Sequence, residues 1–331
     1  MILFALFAGL WSCKNTTNQT PLVPMKDFFK NPEKTYFNLS PDGEYISFTA
    51  PWKNRMNIFV QKIGSTDTIR VTSVEDRDIS GYFWKGNKIL YIKDFGGDEN
   101  FHLFSVDMDG KNEKDLTPFP AVKVGIVDGM DDFDDLLLIQ MNKNNPEYFD
   151  VYRLTLSTGN LEEVAKNPGN ITGWITDHEG KIRAAVTTDG INTSLLFRQN
   201  EKDPFKTILT TNFKESCSPL FFTFDNKEMY CSSNIGRDKA AIVRIDPLTG
   251  KELEVLFESP NADVSGLRYS QKRKVLTRIV WEEARNQQKF LDSETEQLYT
   301  FLQAELPNYE VFITSMSRSE EHTSELQSPN T

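Results

Sequence analysis

Short apolar runs and polar turns alternate along the chain at a nearly constant period. Turn signals begin at Pro41, Lys85, Phe133, His178, Asp225 and Gln271, spaced 44, 48, 45, 47 and 46 residues apart. Each turn precedes a short β-prone run: Tyr45 to Phe48, Ile89 to Ile92, Leu136 to Ile139, Ile182 to Val186, Glu228 to Cys231 and Val275 to Ile279. Asp, Asn and Gly in these turns supply the side-chain hydrogen bonds and positive φ that tight hairpins need. A second series, Asp109-Gly110, Thr158-Gly159 and Thr249-Gly250, follows the runs Phe101 to Val106, Tyr152 to Leu156 and Ala241 to Ile245. Each unit therefore holds about four short strands. A period in the forties with four strands per unit is the signature of a propeller blade. A sandwich of unrelated strands would not repeat so evenly. No Trp-Asp dipeptide occurs, which excludes the WD type.

The predicted fold is all-β: a β-propeller of four-stranded blades over residues 35–317, with six blades, the first strand of a seventh (Tyr309 to Met316) and an incomplete ring. One helix breaks the pattern. Ser293-Glu294-Thr295-Glu296 reads as a capping box, Leu298, Leu302 and Leu306 share a face, and Pro307 ends it. It is expected to decorate blade six.

The two ends read differently from the body. Residues 1–12 are uncharged and hold a short apolar run, as in a signal peptide of the lipoprotein type, with Cys13 as the lipidated residue. No Lys or Arg precedes the run, and an uncleaved apolar N-terminus is the alternative. Residues 13–34 read as a tether and short N-terminal segment. The lipid on Cys13 would be the only membrane attachment, with a periplasmic or cell-envelope location. At the other end, residues 318–331 have no periodicity. The eleven residues from Arg318 to Ser328 resemble a translated sequencing adapter, so this tail is read as non-native.

Composition narrows function. The 48 acidic and 37 basic residues give a net charge of −11, which argues against nucleic acid as the main partner. Cys13, Cys217 and Cys231 are too scattered for a structural zinc site. Cys217 and Cys231 are either two reduced thiols or one disulfide in an exported protein. None of the 18 glycines has Ser two positions later, so the serine-hydrolase elbow is absent. No phosphate loop or His-Glu-x-x-His occurs. Five aspartates between Asp128 and Asp135 invite a calcium reading, but they lack EF-hand spacing and read as a solvated turn. Arg237-Asp238 reads as a structural ion pair. Gly96-Gly97-Asp98-Glu99-Asn100 is the most unusual polar cluster, with glycines that permit a tight turn. Its acids are candidates to face the propeller axis or a substrate, and an acidic loop at a blade edge is the alternative.

Several ordered strings carry a resemblance. They include Phe28-Phe29-Lys30-Asn31-Pro32-Glu33, Leu39-Ser40-Pro41-Asp42-Gly43, Gly96 to Asn100, Asp115-Leu116-Thr117-Pro118, Asp150-Val151-Tyr152-Arg153, Gly173 to Asp177 and Ser233 to Asp238. Together they resemble the propeller portion of the prolyl oligopeptidase family of serine peptidases, in its bacterial acylaminoacyl-peptidase and dipeptidyl-peptidase-like branch. The resemblance implies a parent with a C-terminal α/β-hydrolase domain carrying Ser, Asp and His, acting on short peptides by an acyl-enzyme route without a cofactor. That domain is absent from this sequence, so no catalytic residue carries over and the chain is expected to be inactive as given. Asp98, Glu99 and Asn100 are the residues the resemblance offers for substrate contact, since propeller acids in some relatives bind the peptide's amino terminus. The competing expectation is a stand-alone periplasmic binding propeller.

Overall fold

The computed structural model describes residues 22–318. The expected signal segment, Cys13 and the tail beyond Arg318 lie outside the described residues. Before the first blade, α1 (Met25–Phe28) is a single turn, and Leu22, Phe28 and Phe29 around it are exposed.

The body is six antiparallel sheets in chain order. Blade one holds β1 (Thr35–Leu39), β2 (Tyr45–Trp52), β3 (Arg55–Lys62) and β4 (Thr68–Arg70). Blade two holds β5 (Gly81–Lys85), β6 (Lys88–Lys93), β7 (His102–Asp107) and β8 (Lys114–Asp115). Blade three holds β9 (Val124–Asp128), β10 (Leu136–Asn145), β11 (Tyr148–Thr155) and β12 (Asn160–Ala165). Blade four holds β13 (Ile171–Thr176), β14 (Ile182–Thr188), β15 (Thr193–Phe197) and β16 (Lys206–Thr211). Blade five holds β17 (Cys217–Phe222), β18 (Met229–Ser233), β19 (Ala241–Ile245) and β20 (Glu252–Phe257). Blade six holds β21 (Val264–Ser270), β22 (Val275–Glu282) and β23 (Asn286–Phe290). Every sheet is a simple meander, and each expected repeat strand is the second strand of its blade.

The apolar core lies between sheets rather than at one centre. Leu137, Ile139 and Met141 of β10 pack toward Leu90 and Leu103 of blade two. Leu138, between them, packs with Ile182 of blade four. Likewise Ile89 and Tyr91 of β6 face Ile58 and Val60 of blade one, while Leu90 faces blade three. Side chains alternate across a strand, so a strand buried on both faces must be apolar at successive positions. That accounts for the unbroken runs in the sequence. First strands of consecutive blades neighbour one another, as β1 does β5, β9 does β13 and β13 does β17, so they surround the propeller axis.

Two expectations change at blade six. Its sheet has three strands, and the chain then continues as α2 (Ser293–Glu305). The N-cap of α2 is Asp292, not Ser293. Its carboxylate accepts from Thr295 N at 2.9 Å and is held by both Arg273 guanidinium nitrogens at 2.9 and 2.8 Å. Arg273 explains the one-residue shift, because it fixes a carboxylate where Ser293 would offer only a hydroxyl. The buried contact of α2 is Tyr299, packed on the Phe290 ring and under the Arg278 guanidinium, while Leu306 is exposed.

Tyr309 to Met316, expected as a seventh opening strand, joins no ladder among the described residues. It keeps a period-two pattern, with Val311, Ile313 and Ser315 half-buried and Phe312, Thr314 and Met316 exposed. It meets blade one through Leu39 N, which donates to Ser315 Oγ at 3.0 Å. Without a backbone partner an extended segment is not a strand. Arg318 N then donates to Pro41 O at 2.9 Å.

Candidate functional site at the propeller axis

The first strands of blades three to six, with the turns that follow them in blades three, four and six, line one cavity of about 460 Å³. Its walls differ in chemistry. Asp128, Asp131 and Asp132 form an acidic side, and Trp174, Phe221, Tyr269 and His178 an aromatic side.

The acidic side is the turn between β9 and β10. Asp128 accepts from Met130 N at 2.7 Å and from the Thr176 hydroxyl of blade four. Asp132 accepts from Gln271 Nε2 of blade six at 2.8 Å, across 139 residues of sequence. Lys85 of blade two is 2% exposed, and its ammonium donates to Gly129 O and, at 2.7 Å, to Met130 O. Burial lowers the Lys85 pKa, against the pull of Asp131 and other nearby acids. The Met130 side chain, buried at φ +48, seats against Gly180 of blade four, where a Cβ would lie 2.5 Å from Met130 Cε.

On the aromatic side, His178 Nε2 donates to Phe222 O at 2.8 Å, which fixes the ring. The ring stacks on Phe224 at 5.0 Å and meets the Tyr269 ring edge-on at 5.6 Å. Tyr269 packs on Phe221 at 4.5 Å. Burial raises the Tyr269 pKa, and the charges of Asp128, Asp131 and Asp132 add to it. The acids thus project a negative field onto the aromatic wall. Such a cavity suits a cation with an apolar neighbour. Among the described residues, no group of three or more His, Cys, Asp or Glu is arranged to hold a metal ion.

Asp98, Glu99 and Asn100 do not join this cavity. They lie in the loop between β6 and β7, at the opposite end of blade two from the axial turns. Asp98 accepts from Phe95 N at 3.2 Å, Asn100 N at 3.0 Å and Asn100 Nδ2 at 3.1 Å. Those bonds, led by that from the Asn100 backbone, hold its carboxyl below the usual range. Asp98 and Asn100 therefore spend their polar atoms shaping the loop. Glu99 sits at φ +58 and donates its N–H to the buried Asp94 carboxylate at 3.3 Å. Its own carboxylate is exposed and has no partner among the described residues.

The axial turn was not legible as a site. Its five aspartates form a turn, as read, but blades two, four and six reach it only through long-range closure. The Arg237-Asp238 reading is also corrected. Arg237 pairs with Glu252 at 2.7 Å across the blade, while Asp238 is exposed beside Lys239.

Fold and cavity define a β-propeller domain with an axial cavity, and comparison with known proteins supplies its kin. No protein-family model matches the chain. It is 33% identical over 260 residues, 75% of its length, to dipeptidyl aminopeptidase BIII of Pseudoxanthomonas mexicana, of which it covers 36%. It is 22% identical over 272 residues, 76% of its length, to dipeptidyl peptidase family member 6 of Caenorhabditis elegans, again covering 36%. A solved prolyl endopeptidase superposes with a TM-score of 0.58 at 12% identity, over 78% of this chain and 41% of that one, which is a likeness of fold. Over about three quarters of its length the chain is a homologue of the dipeptidyl aminopeptidase and prolyl oligopeptidase family. It spans little more than a third of the length of those relatives.

Proposed function

We propose that the chain is the substrate-gating propeller of an exported serine peptidase that cleaves short peptides through an acyl-enzyme. The observation that carries this reading is the 33% identity over 260 residues with a dipeptidyl aminopeptidase. The Ser, Asp and His are assigned to an α/β-hydrolase domain in the part of the relatives' length that this chain does not span. By itself the chain is inactive, having no Gly-x-Ser-x-Gly elbow. The axial cavity is the entry route for peptides, its acids drawing them in and its aromatic wall passing an apolar side chain, and it is not where the bound amino terminus rests. Glu99 is the proposed contact for the peptide ammonium, on a loop shaped by Asp98 and Asn100. Export is assigned to residues 1–12 as a signal peptide of the lipoprotein type, and anchoring to lipidation at Cys13.

Sequencing the locus across the codon for Ser317 tests the reading. The expected result is an open frame of roughly 200–250 further residues that contains the nucleophile elbow. Purified chain should leave amino-terminal chromogenic dipeptides intact. Hydrolysis that co-purifies with it, or a natural closing blade followed by a stop codon, overturns the two-domain reading. The stop codon favours a stand-alone binding propeller. Labelled palmitate should enter the protein and be lost in Cys13→Ala.

A further inference from the structure

Blade five carries two free, buried thiols, Cys217 on β17 and Cys231 on β18. The ladder pairs Cys217 with Ser233 and Pro219 with Cys231. The cysteines are therefore diagonal neighbours on one face of the sheet. Both enter the core between blades four and five, beside Phe222, Met229 and Val243.

Their access differs. Cys231 is fully enclosed at 0% exposure, whereas Cys217, at 9%, lines an interblade cavity of about 420 Å³ with Trp174, Val186, Glu215 and Ser218. We propose that Cys217 is a thiol–disulfide exchange site for a low-molecular-weight disulfide such as oxidised glutathione, with Cys231 as its resolving thiol. The steps balance. The Cys217 thiolate attacks one sulfur of the small disulfide, forms a mixed disulfide and expels one small thiolate, which takes up the proton Cys217 released. The Cys231 thiolate then attacks the Cys217 sulfur, forms the cross-strand bond and expels the second small thiol. Two protein thiols are oxidised, and one small disulfide is reduced to two thiols.

Access sets the order of attack. Cys217 lines the cavity that an incoming disulfide can enter and Cys231 is enclosed, so Cys217 reacts first. The neighbouring Cys231 and Ser233 side chains hold the Cys217 thiol below its ordinary pKa, against burial, which favours its reactive thiolate. Reversibility follows from the register. Diagonal partners sit about 7–8 Å apart, while a relaxed disulfide wants Cα atoms about 4.4–6.8 Å apart. Closing the bond has to slide β17 along β18 against their ladder, so it is strained and readily reduced.

The experiment uses the full chain with Cys13→Ser, leaving two thiols. After treatment with oxidised glutathione at about pH 8, peptide mapping without reductant should show Cys217 joined to Cys231. Dithiothreitol should restore both thiols. Cys231→Ser should accumulate a glutathione adduct at Cys217, and Cys217→Ser should react about tenfold more slowly or less. Two thiols that stay free, or a Cys217→Ser protein that reacts as fast as its parent, overturn the proposal. If the serine variants do not fold, pulsed alkylation of the two-thiol protein decides. Cys217 should be labelled about tenfold faster than Cys231, and equal rates overturn the assignment.

Discussion

The ammonium of Lys85, in blade two, holds the backbone carbonyl of Met130, in blade three, at 2.7 Å. It also binds Gly129 O. One buried side chain thus fixes the start of the acidic axial turn from a neighbouring sheet. Lys85→Met leaves the buried Met130 carbonyl and the half-buried Gly129 carbonyl without that donor. A lost bond to a charged donor costs about 1.5–3 kcal/mol, part of it offset because the ammonium no longer has to be desolvated. Urea unfolding should show a net loss of about 1–3 kcal/mol. An unchanged midpoint would mean the turn holds its shape without Lys85.

Asp292 gives a pH signature. Its bonds from Arg273, then Thr295, bring its pKa to about 2, against an ordinary value of about 4. A carboxyl with a depressed folded pKa stabilises the fold above the unfolded value, and that contribution is lost as pH falls through the folded one. Asp292→Ala also removes the N-cap of α2. The variant should be less stable by about 1–2 kcal/mol near pH 6, once solvent screening is allowed for. The gap should close between about pH 4 and pH 2. Parallel thermal melts of the two proteins across that range check it, and a gap independent of pH assigns the effect to packing.

Gly250 closes the hairpin between β19 and β20 at φ +70. A Cβ there would lie 2.3 Å from Ile208 O and 3.1 Å from Ile208 C in blade four. The obstacle is backbone, which cannot turn aside as a side-chain tip can. Gly250→Ala should cost about 2–4 kcal/mol by chemical denaturation. A loss under about 0.5 kcal/mol would show that blades four and five separate easily.

Glu99 is the one carboxylate of its loop left free for a ligand. In the full-length peptidase proposed above, Glu99→Gln should raise KM about fivefold or more for peptides with a free amino terminus, with kcat changed about twofold or less. Peptides with a blocked amino terminus should be unaffected. Steady-state kinetics on both substrate types decide it, and an unaltered KM removes Glu99 from the site.

The blades were legible because their determinants are local. Asp-Asn-Gly turns recur at a fixed period, and runs such as Leu136 to Ile139 are apolar on both faces because that sheet lies between two others. The axial site was hidden for the opposite reason. Thr176, Lys85 and Gln271 reach the Asp128–Asp132 turn from three other blades, and no sequence window contains that meeting. The cap of α2 was misplaced by one residue because Arg273, nineteen positions upstream, selects the carboxylate of Asp292. Tyr309 to Met316 has the alternation of a strand, but strand formation depends on a neighbour that alternation cannot supply. Asp98 and Glu99 looked equivalent in the sequence. Only local geometry separates the acid that builds the loop from the one that is free.

The crossing from blade six to blade one is made differently from every step between consecutive sheets. Those steps bury shared apolar side chains, whereas among the described residues the segment ending at Arg318 meets blade one through polar bonds, Leu39 N to Ser315 Oγ and Arg318 N to Pro41 O, and holds Asp134 of blade three through its guanidinium. Each such bond is worth about 0.5–3 kcal/mol, less than parting an interblade core. Among the described residues this crossing is the expected point of first failure. Under heat or denaturant, protection of the Leu39 and Arg318 amides should vanish while the β10–β11 ladder still resists exchange.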